Sequence, residues 1–246
     1  MHEHELWFTA LLNHYLAAPA NAIIGIFGQH AHDPAKPWTN FNSMLLFSLL
    51  IFLILPWLVR GSLNAEKPGK LGQLFELFVN FIKDHSKEVV GHDGPKYRFW
   101  FMTLFLGILI MNLIGLIPTL ESPTMYPAVP LGFAVASFLY YQFAGVKEQG
   151  ILGHLKHFAG PVWWLAWFMF PLEIISHLIR PMSLTIRLYA NMFAGEQITI
   201  AFIELTKFII PVVFMGLHFF VSFLQAYIFT TLSMAYVGGS VAHEDH

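Results

Sequence analysis

The chain has 246 residues, of which 56% are hydrophobic and 11% are charged, and its formal net charge at pH 7 is −2. Soluble domains carry about 25% charged residues, so this composition predicts an integral membrane protein and excludes an ordinary soluble enzyme. The sequence has no cysteine, which excludes disulfides and thiol catalysis, and no basic patch that would indicate nucleic-acid binding.

The apolar runs predict an all-α integral membrane protein that forms one membrane domain over residues 1–246. An external N-terminal segment over 1–41 should begin with a short amphipathic helix, and its part from 19 to 41 has the composition of a loop. Apolar and charged positions alternate at helical spacing over 70–91, which is typical of an amphipathic helix at the interface or along other helices. About five transmembrane helices are expected, over 42–60, 98–118, 129–146, 162–206 and 208–240.

The last two predicted helices are too long for a perpendicular crossing. A helix of roughly 30 to 40 residues reaches about 45–60 Å, against about 30 Å of hydrocarbon. Such a helix must tilt strongly, lie partly in the membrane plane, or break near Pro171 and Pro181. A short polar connection is expected over 147–160, and Tyr140 and Tyr141 suit the aromatic belt at the membrane interface.

Lysine and arginine are unevenly distributed between the two predicted sides. Seven of them lie within 60–98 and two within 147–160, whereas the opposite side has only Lys36 and Lys207. The positive-inside rule therefore predicts that the N-terminus is outside and that, with five crossings, the C-terminus is cytoplasmic.

The stretch 171–196, PLEIISHLIRPMSLTIRLYANMFAGE, is apolar enough for a membrane and yet carries several ionisable groups. Such groups are costly at lipid depth, so a functional site is the default hypothesis. Helical spacing brings one set of side chains near a single face: Glu173, His177, Arg180, Leu184, Arg187 and Asn191. Glu196 lies nine positions beyond Arg187 and therefore on roughly the opposite side. In the last helix, His218 and Gln225 share a face two turns apart.

Each of these residues also has a purely structural interpretation. Arg187 could pair with Glu173, and Glu196 with His218 could be a satisfied buried hydrogen-bonded pair. Asn112, Asn191 and Gln225 could link helices by hydrogen bonds, the interpretation that we favour for Asn112, and Ser183 could bond to its own backbone.

Common catalytic and nucleotide-binding motifs are absent from the sequence. It contains no GxxxxGK[ST], GxGxxG, HExxH or GxSxG pattern, so phosphate cradling, dinucleotide binding and serine chemistry are unsupported. The chemistry that the sequence does support is proton transfer by carboxylates and histidines, beside arginine side chains whose charge does not titrate. An ion-coupled secondary transporter and an intramembrane enzyme using histidine, glutamate and a metal are two alternatives, although the lack of an internal repeat weakens the first.

Two segments closely resemble subunit a of the bacterial type of F-type ATP synthase: RPMSLTIRLYANMFAGE (180–196) and HFFVSFLQAYIF (218–229). The resemblance implies that Arg187 faces a carboxylate on the rotating ring of c subunits and separates two aqueous half-channels. Glu196 and His218 would line one half-channel, and Glu173 and His177 could line the other. Asn191, Ser183 and Gln225 match polar positions near the arginine, whereas Ala190 stands where many relatives have glycine.

The resemblance also implies a proton-translocating stator subunit that makes no ATP itself and needs no cofactor or metal. Its expected partners are the c-subunit ring, the peripheral-stalk b subunits, other ATP synthase subunits and membrane lipid. The expected location is the bacterial plasma (inner) membrane, and the Glu196–His218 pairing favours H⁺ over Na⁺ as the transported ion.

Overall fold

A computed structural model describes residues 6–26, 36–62, 69–117, 120–159, 166–205 and 209–241. These ranges form α-helices without any strand, which confirms the predicted fold class. The seven helices of the described ranges are α1 (Trp7–Ile26), α2 (Asn40–Ser62), α3 (Lys70–Val90), α4 (Arg98–Ile114), α5 (Ala128–Ala159), α6 (Ala166–Leu205) and α7 (Ile209–Val241).

Four helical stretches of the described ranges are long and apolar enough to cross a membrane: Asn40–Arg60, Gly94–Ile114, Ala128–Gly150 and Pro211–Val241. The protein is therefore a multi-pass membrane protein. Helix α6 has 40 residues, but its ionisable side chains make it more polar than these four stretches. A crossing by α6, and with it the total of five, stays a prediction.

The core is formed where α7 packs against α3, α4, α5 and α6. Apolar side chains at helical spacing supply its centre, with Phe101 and Ile108 from α4, Leu188 from α6, and Phe229 and Val237 from α7. A buried hydrogen bond of 2.7 Å joins the hydroxyls of Ser137 in α5 and Ser233 in α7. Polar links of this kind fix the register of apolar helices, because a membrane offers them no alternative partner.

The amphipathic helix α3 packs along α7. Its Ile82 is buried in the core, and the ring of its His85 lies 2.9 Å from the hydroxyl of Thr231 and stacks on Tyr227. Leu71, Leu74 and Leu77 stay exposed on the other side of α3. The expected packing along other helices is observed, and a position at the membrane interface stays a prediction.

The structure differs from the sequence-based expectations at three connections. Residues 147–159, expected to be a polar connection, are helical except at Gly150. There a φ of 74°, which favours glycine, divides α5 into two helical parts that meet in a kink. Helix α1 extends to Ile26, into the predicted loop over 19–41, whose residues 27–35 lie outside the described ranges. Helix α6 runs unbroken through Pro171 and Pro181.

Tyr141 is also placed differently from the expectation. Only 1% of its surface is exposed, so it belongs to the core and not to an interface belt. Its hydroxyl is satisfied by a histidine of α6, which removes the cost of burying a phenol in an apolar bundle.

Candidate functional site

The ionisable residues of α6 lie along the boundary between its buried and exposed sides. His177, Leu184, Leu188 and Met192 are buried against the neighbouring helices. Ser183 and Asn191 are exposed, and Arg187 is half-buried between the two sides. The helix face predicted from the spacing therefore packs against the other helices along one edge and is exposed along the other edge.

The Arg187 guanidinium has no ion-pair or hydrogen-bond partner among the residues that the structure describes. The structural alternative, an ion pair with Glu173, is wrong, because Glu173 Oε1 lies 3.2 Å from His177 Nε2 instead. Asn191 and Ser183, one turn away on either side of the arginine along α6, carry no charge. Arg187 is thus a fixed positive charge that the described part of this chain does not neutralise.

Glu196 and His218 border a cavity of about 230 Å³. Its other walls come from Leu6, just before α1, from the loop after α4, from the last part of α6 and from the first part of α7. They include Leu120, Glu121, Thr199 and Met215. Glu196 Oε2 and His218 Nε2 are each buried without a hydrogen-bond partner within the described ranges. The alternative of a satisfied hydrogen-bonded pair is therefore wrong, and both groups present an unused polar atom beside the cavity.

A second cavity, of about 200 Å³, lies in the groove between α6 and α7. It is lined by Asn191, Ala194 and Ile198 of α6, and His218 borders it as well as the first cavity. Gly195 allows this arrangement, since a Cβ at that position would lie 3.3 Å from Nδ1 and Cε1 of the His218 ring. The imidazole thus stands between a cavity beside Glu196 and a groove beside Asn191.

A buried polar cluster supports the loop that covers the first cavity. Asn112 Nδ2 donates to the Ser222 carbonyl oxygen of α7 at 3.3 Å, and Asn112 Oδ1 accepts from the Thr124 hydroxyl at 2.6 Å. The Thr124 and Ser122 hydroxyls are 2.7 Å apart, and the Ser122 backbone N–H points toward the Glu196 carboxylate. The interhelical hydrogen bond predicted for Asn112 is confirmed.

Three buried polar residues follow one face of α7. His218 is 6% and Gln225 is 3% exposed, and Ser222 between them has a buried hydroxyl without a partner in the described part of the chain. Sequence reasoning missed Ser222, although its spacing of four from His218 and three from Gln225 is a signal that could have found it. Helical spacing could not indicate Glu121 or Ser122 as residues of the site, because both lie in a loop.

A second polar cluster lies near the start of α6. The Tyr141 hydroxyl is 2.7 Å from His177 Nδ1, and the two rings stack. Arg180 lies 5.1 Å from the ring centroid of Tyr236 in α7. The structure therefore brings Glu173 and His177 together, as their spacing of four predicts, and places them apart from Glu196 and His218.

The sequence matches the family model described as ATP synthase A chain over residues 42–238. The chain therefore belongs to the ATP synthase A chain family. It is 50% identical to ATP synthase subunit a of Solibacter usitatus (strain Ellin6076), over 95% of this chain and 100% of that relative. It is 46% identical to ATP synthase subunit a of Koribacter versatilis (strain Ellin345), over 98% of each chain. It is 36% identical to ATP synthase subunit a of Aquifex aeolicus (strain VF5), over 84% of this chain and 100% of that relative.

Membership in this family confirms the resemblance found from residues 180–196 and 218–229. It places the chain in ATP synthesis and proton transport, within a membrane complex, and makes it a component of an ATP synthase. It decides against the ion-coupled secondary transporter and the intramembrane metalloenzyme.

Proposed function

We propose that this subunit conducts protons between the membrane surfaces and a carboxylate on an adjoining ring of c subunits. Two aqueous half-channels would each reach that carboxylate from one side, and Arg187 would separate them. The subunit would carry out no nucleotide chemistry; ATP would be made on other subunits of the complex. The peripheral-stalk b subunits would hold it in place while the ring turns.

The observation that carries this proposal is the unneutralised charge of Arg187. A guanidinium at membrane depth is costly unless it meets an opposite charge. The carboxylate on the same helix face, Glu173, lies about 21 Å away along the helix and is engaged by His177. The arginine lies next to exposed Ser183 and Asn191, so a counter-charge can approach from outside the chain. A ring carboxylate that loses its proton there would be stabilised by the arginine, which favours proton release at this point.

The two cavities beside His218 support the route of one half-channel. Glu196 and His218 offer unused polar atoms to a space that is large enough for several water molecules. The groove on the other side of His218 reaches Asn191, one turn from Arg187. A proton could thus pass from the first cavity by way of Glu196 and His218 to the groove where the ring would lie.

Arg187 would also prevent a direct leak between the half-channels. A proton that moves from one half-channel to the other without the ring must pass a permanent positive charge, which repels it. The proton is therefore carried by the ring. Each elementary charge that crosses 100 mV releases about 2.3 kcal/mol, and this energy becomes available for rotation.

The decisive experiment replaces the arginine. In membranes that contain the assembled ATP synthase, Arg187→Ala is expected to abolish both ATP-driven proton pumping and ATP synthesis driven by a proton gradient. Arg98→Ala is the matched control, because Arg98 lies over the Phe99 ring at the start of α4, outside the site. Normal coupled pumping in Arg187→Ala, at wild-type levels of assembled complex, would remove the arginine from the mechanism.

A further inference from the structure

Three side chains form a hydrogen-bonded chain that leads from the core to the surface of the bundle. Tyr141 of α5 is 1% exposed, and its hydroxyl lies 2.7 Å from His177 Nδ1. His177 is 7% exposed, and its Nε2 lies 3.2 Å from Glu173, whose side chain is 32% exposed. These hydrogen bonds therefore join a buried phenol, a buried imidazole and a carboxylate that reaches the edge of the protein.

The hydrogen-bonded series Tyr141–His177–Glu173 can hold one additional proton without losing either of its hydrogen bonds. When His177 is neutral, the Tyr141 hydroxyl donates to Nδ1 and Nε2–H donates to the ionised carboxylate of Glu173. When a proton is added to Nδ1, the imidazolium donates from both nitrogens, to the Tyr141 oxygen and to Glu173. The tyrosine hydroxyl needs only to rotate, since a phenol oxygen both donates and accepts.

The surrounding charges act on the imidazole in opposite directions. Glu173 favours the protonated imidazole, and the fixed charge of Arg180 on the same helix opposes it. From α7, Tyr236 packs against Tyr141 at a ring separation of 5.8 Å and lies under the Arg180 guanidinium. Glu173, Arg180 and Tyr236 are thus the charged and titratable groups that surround the Tyr141–His177 pair.

We propose that Tyr141, His177 and Glu173 form a proton relay in the half-channel opposite to that of Glu196 and His218. Within it, Tyr141 is a positioning residue, which stabilises His177 in both protonation states. The inference rests on the proposed function, because a proton relay at this place is useful only if the chain has a second half-channel. It extends that function by assigning a role to Tyr141 and a proton-carrying role to His177.

The experiment compares two neighbouring tyrosines in the intact complex. Tyr141→Phe keeps the ring that packs against Phe138 and Tyr236 and removes the hydroxyl. Tyr140→Phe is the control, because the Tyr140 ring stacks on Trp100 at 4.3 Å and takes no part in the relay. Inverted membrane vesicles are stripped of the soluble ATPase, and a potassium diffusion potential drives protons inward while the external pH is varied.

In Tyr141→Phe, Nδ1 of His177 loses its partner in both protonation states, but the imidazolium loses the stronger bond, because hydrogen bonds to charged groups exceed those between neutral groups. Proton uptake should therefore need a more acidic medium. The external pH at half-maximal proton flux is expected to fall by up to about one unit, the difference between losing a charge-assisted and a neutral hydrogen bond. Tyr140→Phe should retain the wild-type profile. His177→Gln, which cannot take up a proton, should remove this pH dependence from the flux.

Two outcomes separate this inference from the proposed function. If Tyr141→Phe and His177→Gln both keep the wild-type pH profile while Arg187→Ala still abolishes coupled pumping, the relay is wrong and the proposed function stands. If Arg187→Ala pumps normally, the proposed function is wrong, and the relay that rests on it is overturned as well. Immunoblots for the subunit in the vesicles identify a variant that fails to assemble, and His177→Gln then decides the question alone.

Discussion

Glu196 combines a buried carboxylate oxygen that has no hydrogen-bond partner in the described ranges with a place on the wall of a cavity. Glutamine has the same shape but cannot bind or release a proton. In membranes stripped of the soluble ATPase, Glu196→Gln is therefore expected to lower passive proton flux by about tenfold or more. Glu76→Gln, at an exposed position of α3, is the control; an unchanged flux in Glu196→Gln would reject its role in the half-channel.

At the scale of single residues, the sequence indicated the ionisable groups of the site but not their partners. Arg187, Glu196 and His218 stand out because charged and titratable groups are rare in apolar segments. Tyr141 does not, since tyrosine in a membrane helix is equally typical of an interface belt. Its hydrogen bond to His177 joins residues 36 positions apart, and only the packing of α5 on α6 brings them together.

At the scale of helices, Asn112 joins α4 to α7 and to the loop over the first cavity. Asn112→Leu keeps the side-chain volume but leaves the Thr124 hydroxyl and the Ser222 carbonyl without this partner. The helix contact is expected to weaken by about 1–2 kcal/mol, so the solubilised complex should lose this subunit at a lower temperature. Thr103→Val is the control, because Thr103 donates only to the Phe99 carbonyl within α4. Equal heat resistance of Asn112→Leu and the control would show that the cluster does not stabilise this contact.

The sequence predicted least well whether a helix continues past a glycine or a proline. The hydrophilic residues after 146 suggest a connection, but they are compatible with a helix, and only Gly150 leaves the helical conformation, so that two helical parts meet there in a kink. In α6, Pro181 costs one backbone hydrogen bond, and its own carbonyl oxygen accepts from the Thr185 hydroxyl at 2.8 Å. Whether a proline breaks a helix depends on packing, which a single sequence does not reveal.

At the scale of the whole molecule, Arg187 lies between two carboxylates along α6. Glu173, Arg187 and Glu196 are separated by 14 and 9 residues, which corresponds to about 21 and 14 Å along a helix axis. The two carboxylates are thus about 35 Å apart, similar to the roughly 30 Å of hydrocarbon in a membrane. This spacing fits the proposed arrangement, in which each carboxylate serves a half-channel that opens on a different side.

The orientation predicted from lysine and arginine can be tested because the chain has no cysteine of its own. A single cysteine is introduced at His92→Cys, in the turn before α4, or at Ala128→Cys, at the start of α5; both positions are exposed. With the N-terminus outside, a membrane-impermeant maleimide should label the cysteine at 92 in inverted vesicles and the cysteine at 128 in intact spheroplasts. The reverse pattern would invert the topology and exchange the sides assigned to the two half-channels. Labelling after detergent treatment serves as the control that both cysteines are reactive.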